Sequence, residues 1–191
     1  WGTDGRAVEY FDAKADVEAL LARVGESGAY RFEAANHPAL HPGQTSRDLK
    51  GDEPAGWIGA LHPRLAADLD LAIPVVMFEL DLAPVLAAKV PECQGISRFP
   101  AIRRDLAVLV AQGVSVADLL AAARSAGGPA LTAVRVFDIY AGQGIEPGLK
   151  SVALSLILQA TSRTLTDEDA DGAVAAVRER LGESFQAKIR D

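Results

Sequence analysis

"LTAVRVFDIYAGQGIEPGLKSVALSLILQ", residues 131–159, decides how the second half of this chain folds. Its last ten residues alternate, with Val152, Leu154, Leu156 and Leu158 on one side and Ser151, Ala153, Ser155 and Gln159 on the other. That is the period of a strand with one buried face. Its first ten residues, rich in β-branched and aromatic types, read as a second strand. Three glycines lie between, with a lysine and a serine opening the second strand, and together they invite a phosphate-loop reading. A Walker loop places its lysine directly after the second glycine and opens a helix; here Leu149 intervenes between Gly148 and Lys150, and a strand follows. A dinucleotide fingerprint needs the same helix, so that its N-terminal N–H groups meet the pyrophosphate. Both readings fail, and a hairpin remains, with Gly142, Gly144 and Gly148 permitting positive φ and Pro147 stiffening the turn.

Hairpin pairing brings Tyr140 and Ser151 close together, and alternation points Ser151 away from the leucine face. An aromatic ring and a hydroxyl beside Lys150, at the rim of a sheet, suit stacking and hydrogen bonding of an unpaired base. A purely structural tyrosine remains the alternative.

Working outward, "DLAVLV" reads as a strand before the hairpin, and "SVADLLAAARSAG" as an amphipathic helix using Val116, Leu119, Leu120 and Ala123. Beyond the hairpin, Thr166 with Asp169 three residues on is an N-cap signature, and the following helix buries Ala173, Val174, Val177 and Leu181. "SFQAKIR" reads as a last short strand. The order β-α-β-β-α-β is the ferredoxin-like plan, with both helices on one face of an antiparallel sheet and the other face free.

The first half is also α+β. "RAVEYFD" and "YRFEAA" read as strands, with the helix "AKADVEALLARVG" between them ending at Gly25. "TSRDLK", "GDEP" and "AGWIGALH" make a hairpin, and Pro63 opens a short helix. "VVMFELDL" is a strand followed by helical "APVLAAK". The proline and glycine of "VPECQG" set a boundary, giving one domain at 1–94 and a second at 95–191.

The 191 residues are 49 % hydrophobic, enough for one good core or two modest ones. One cysteine, Cys93, allows no internal disulfide and points to a reducing, cytoplasmic setting. The first residues lack the pattern of a signal peptide, and the tryptophan start suggests a piece of something longer. Net charge is −7, which at first argues against nucleic acid. Yet residues 1–95 carry 8 basic and 15 acidic residues, and residues 96–191 carry 11 of each, four of those acids crowded into "TDEDAD". The second half therefore has room for a basic face, beginning with Arg98, Arg103 and Arg104.

Other chemistry is poorly supported. His37 and His41 have the four-residue spacing of helical zinc ligands, but Pro38 and Pro42 exclude a regular helix, so capping or packing is expected of them and of His62. No nucleophile motif occurs, and no carboxylate falls on an apolar stripe where burial would raise its pKa.

The stretches "HPALHPGQ", "GWIGALHPRLAADLDL", "VMFELDL", "ISRFPAIRRDLAVLV", "VFDIYAGQGIEPGLKSVALSLILQ" and "SRTLTDED" together resemble the C-terminal part of the bacterial phenylalanyl-tRNA synthetase β-subunit family. The resemblance implies that the first domain is the latter part of a non-catalytic, class II synthetase-like core that packs on a catalytic α subunit. It implies that the second is a ferredoxin-fold anticodon-binding domain. Tyr140 would stack on an anticodon base of tRNA(Phe) and Ser151 would help hold it beside Lys150. Arg98, Arg103 and Arg104 would contact the RNA backbone, and Arg163 would be structural. ATP and Mg2+ would be used elsewhere in an enzyme of two α and two β chains, with no membrane or DNA partner. From the residues alone, two rivals stay open: a regulatory module that binds a small molecule such as an amino acid, and a structural scaffold.

Overall fold

The structure, a computed structural model, describes residues 5–24, 28–87 and 95–190. Gly25, Cys93 and most of the "VPECQG" boundary lie outside them. The chain divides into two compact units, Trp1–Cys93 and Gln94–Asp191.

In the first unit, helix α1 (Tyr10–Arg23) precedes a four-stranded sheet of β1 (Tyr30–Ala34), β2 (Leu40–Lys50), β3 (Glu53–Leu61) and β4 (Val76–Leu80). All neighbours are antiparallel, in the order β1-β2-β3-β4. Short helices α2 (Pro63–Asp68) and α3 (Leu82–Leu86) flank β4 in sequence. Ala13, Val17 and Leu21, on one stripe of α1, pack with Ile58 of β3 and Val85 of α3. The expectation of a strand at "RAVEYFD" is corrected: α1 begins at Tyr10. The Glu9 N–H donates to Asp12 Oδ2 at 2.9 Å, and the ion pair of Arg6 with Asp12 fixes the same carboxylate over the helix start. An acid that satisfies an orphan N–H at the positive end of a helix outweighs a short β-like alternation.

The second unit runs β5 (Ile102–Ala111), α4 (Val116–Ala126), β6 (Leu131–Tyr140), β7 (Leu149–Leu158), α5 (Asp167–Phe185) and β8 (Lys188–Ile189). Its sheet order is β6-β7-β5-β8, antiparallel throughout, the ferredoxin-like arrangement. Leu106, Val108 and Val110 of β5, Val134 of β6, and Val152, Leu154 and Leu156 of β7 meet Leu119 and Ala123 of α4 and Val177 and Leu181 of α5 in one core. Both helices thus cover the same face.

Local signals explain the helix ends. Ser115 Oγ accepts from the Ala117 N–H, and Thr166 with Asp169 forms a reciprocal capping box at α5. Helix α5 also runs further than expected: Ser184 and Phe185 of "SFQAKIR" end the helix, Gln186 adopts φ 54°, and only Lys188–Ile189 pairs with β5. The left-handed residue turns the chain back toward the sheet, so the last strand is two residues long.

Candidate nucleic-acid interface

Which side of the second sheet each residue faces follows from its register. Val152, Leu154 and Leu156 of β7 stand beside Val108, Leu106 and Arg104 of β5, and this set faces the helices. The opposite face carries, row by row, Arg103 with Ile157 and Ala133, then Asp105 with Ser155 and Arg135, then Ala107 with Ala153 and Asp138, then Leu109 with Ser151 and Tyr140. No helix of this unit lies there among the described residues. Its floor is made of small side chains, Ala107, Ala153, Ser151 and Ser155, which let a flat group approach the strands.

Tyr140 reaches this face because of a bulge. In β6, Val134 and Val136 point at the helices, and strict alternation would send Tyr140 the same way. A register shift between Val136 and Asp138 inserts one extra residue and reverses the parity. Asp138 then pairs with Ala153 and Tyr140 with Ser151, while Phe137 beside the bulge also turns to the helix-free side.

The Tyr140 side chain is 40 % exposed, and its hydroxyl donates to the Gln143 carbonyl oxygen at 3.0 Å. Its ring lies over Gly142, where an added Cβ would sit 2.9 Å from the phenolic oxygen and 3.1 Å from Cζ. The loop glycines therefore have distinct tasks. Gly142 makes room for the ring, and Gly144 and Gly148, at φ 88° and 84°, turn the chain. Ser151, opposite Tyr140, is only 5 % exposed and lies at the floor of the face.

Arg103 is on this face too. Its Nε–H and Nη2–H donate to the two oxygens of Asp105 at 2.9 and 3.0 Å, and the guanidinium carbon stands 5.7 Å from the centre of the Phe137 ring. The Arg103 fork holds the Asp105 carboxyl below its ordinary pKa.

Two residues expected beside these lie elsewhere. Arg104, next in sequence, points to the helix side and donates to Asp167 at 2.5 Å and Asp171 at 3.2 Å on α5. Lys150 likewise faces away from Ser151, and its Nζ donates to the carbonyls of Gln112 at 2.9 Å and Val114 at 2.6 Å, pinning the β5–α4 connection. Arg98 is exposed, ahead of β5. Arg163 clamps Asp169 at 2.6 and 2.8 Å; that fork, together with the Thr166 N–H, holds this carboxyl far below its ordinary range. Sequence reasoning missed Phe137; its signal was an aromatic three residues before Tyr140, which takes on meaning only with the bulge.

In the first unit, Nδ1 of His37, His41 and His62 each accepts a backbone N–H two residues on, from Ala39, Gly43 and Arg64. These histidines cap turns, and His62 caps α2. Among the described residues, no group of three or more His, Cys, Asp or Glu is placed to hold a metal ion. No described helix is long and apolar enough to cross a membrane.

Comparison with known proteins adds to this geometry. Residues 97–190 match the family model of the ferredoxin-fold anticodon binding domain, and residues 1–82 match that of the phenylalanyl tRNA synthetase beta chain CLM domain. All 191 residues align at 46 % identity with the phenylalanine–tRNA ligase beta subunit of Methylococcus capsulatus and at 45 % with that of Sodalis glossinidius, 24 % of each relative's length. The beta subunit of Pseudomonas syringae pv. tomato is 44 % identical over 190 residues, again 24 % of its length. The chain therefore spans about a quarter of the curated relatives it matches.

Proposed function

The chain belongs to the phenylalanine–tRNA ligase beta-subunit family, and from this premise we propose that it is a non-catalytic segment of that ligase whose second unit binds the anticodon region of tRNA(Phe). The observation that carries this reading is Tyr140, a half-exposed ring on a helix-free sheet face within the region that matches an anticodon binding domain. One anticodon base stacks on the phenol. Ser151 beneath offers a hydroxyl to that base or its ribose, a group that separates RNA from DNA. Arg135, exposed on the face, suits a phosphate contact, as does Arg98, exposed ahead of β5; such contacts position RNA without reading its sequence.

In this proposal the first unit serves assembly with a catalytic α subunit, in a cytoplasmic enzyme of two α and two β chains. In the same proposal, ATP and Mg2+ are used by other parts of that enzyme. The chain's contribution to aminoacylation is orientation: holding the anticodon end costs the RNA its freedom before the acceptor end reaches a distant active site. A small-molecule module is not favoured.

Titrating a tRNA(Phe) anticodon stem-loop into the chain tests the reading. Binding is expected to weaken by about 1–3 kcal/mol in Tyr140→Ala, the worth of one base–aromatic stack. Equal affinity of the variant and the parent chain would refute it.

A further inference from the structure

Resting on the reading of the helix-free face as an RNA surface, we propose that this face holds two unpaired bases, one on Tyr140 and a second on a separate platform made by the Phe137 ring and the Arg103 guanidinium. A lone exposed phenylalanine is ordinary. Phe137 is not in an ordinary setting. It is 56 % exposed, it shares its face with Tyr140 through the bulge, and a guanidinium stands 5.7 Å from its ring.

Both Arg103 nitrogens that face Asp105 are engaged, so the carboxylate compensates the charge and fixes the guanidinium in one orientation. What Arg103 then offers is a planar surface rather than a free cation for a phosphate. A base laid against Phe137 would meet an aromatic face and a guanidinium plane together, the two surfaces on which unpaired bases stack.

The neighbouring groups match a base edge. Asp138, on the same face between Phe137 and Tyr140, is a carboxylate that repels phosphate and accepts from base amino groups. Ser155 lies on the floor one row from Asp138; it is 5 % exposed and stands directly beside Asp105, whose carboxylate its hydroxyl helps to hold ionised.

Spacing requires two bases. Three residues of strand separate Phe137 from Tyr140, about 10 Å less what the bulge removes, whereas consecutive stacked bases are about 3.4 Å apart. No single base covers both rings, so occupation of both splays two loop nucleotides apart.

The test uses the 191-residue chain and tRNA(Phe) anticodon stem-loops in which each loop base in turn is replaced by an abasic ribose. Phe137→Leu, which keeps the apolar bulk and loses the π face, is expected to weaken binding of the intact loop about 5- to 150-fold. Phe137→Trp is expected to retain affinity, which shows that the position tolerates change. The effect of Phe137→Leu should vanish on one abasic loop, and that of Tyr140→Ala on a different one. Unaltered binding by Phe137→Leu, with Tyr140→Ala impaired, would overturn the second platform and leave the first. Loss of both effects on the same abasic loop would reduce the face to one base site. If the stem-loop does not bind, or Tyr140→Ala binds normally, the RNA reading itself falls, and the second platform with it.

Discussion

Replacing Lys150 by methionine separates the two roles open to this residue. Its Nζ donates to two backbone carbonyls, those of Gln112 and Val114 at 2.9 and 2.6 Å, across the turn that leads from β5 into α4. Methionine keeps most of the aliphatic stem and removes both donors. Each hydrogen bond is worth about 0.5–1.5 kcal/mol net, and partial solvent access keeps the pair near the lower end, so a loss of about 1–2 kcal/mol is expected. For a unit of this size, each kcal/mol lowers the midpoint of melting by about 4–8 °C. Calorimetry on the whole chain reads this shift, and the fluorescence of Trp57, which lies in the first unit, gives a separate signal to compare with it. The same variant should leave the dependence of stem-loop affinity on salt unaltered. An unchanged melting midpoint, accompanied by a salt slope shallower by about 0.7, the signature of one lost contact to a single-stranded phosphate, would refute the reasoning and return Lys150 to the RNA.

Two more outcomes follow from single side chains. Gly142→Ala is expected to push the Tyr140 phenol off the loop and break its bond to Gln143, because the new methyl would stand 2.9 Å from the phenolic oxygen; stem-loop affinity should fall while the melting midpoint stays within a few degrees, and unaltered affinity would count against the ring's position as the determinant. Asp48 of β2 corrects the expectation that no carboxylate is buried where its pKa would rise: it is fully buried, one carboxylate oxygen has no partner among the described residues, and burial raises its pKa from 3.8 to about 6 despite the Ser46 hydroxyl and the Lys14 charge. The folded state therefore holds a proton that the unfolded chain has released between these values, so stability falls as pH rises through that window and levels off above it. Between pH 5 and 7.5 the loss is at most about 1.4 kcal/mol, one pH unit of differential protonation, whereas Asp12, held at about 2 by Arg6, acts only below the window. Asp48→Asn should abolish this slope in urea unfolding followed by Trp57 fluorescence, and parallel slopes for the two proteins would show that Asp48 is not its source.

Much of the second unit is legible in its residues. The alternation of Val152 to Leu158, the caps at Ser115 and Thr166, and the strand after Gly148 are local signals, and each formed as its local chemistry directs. Elsewhere a local signal was present but went unused: Arg103 and Arg104, like Lys150 and Ser151, are consecutive on strands and must face opposite ways. At "RAVEYFD" two local signals compete, and the carboxylate of Asp12 over the helix start decides for the helix.

The kind of fold is written in residue type, because periodicity, caps and turn glycines act over a few residues. The exclusion of a phosphate loop is of the same kind, since it needs only the strand that follows. Pairing with Ser151 points Tyr140 to the free face, as the hairpin reading expects; the bulge by which β6 reaches that pairing, and the place it gives Phe137, were decided by tertiary structure. Pairing of β6 with β7 places the bulge at Val136–Asp138, and that one extra residue moves Tyr140 from the helix side to the free side and sets Phe137 beside it. A bulge is a relation between two strands, and no pattern within either strand announces it.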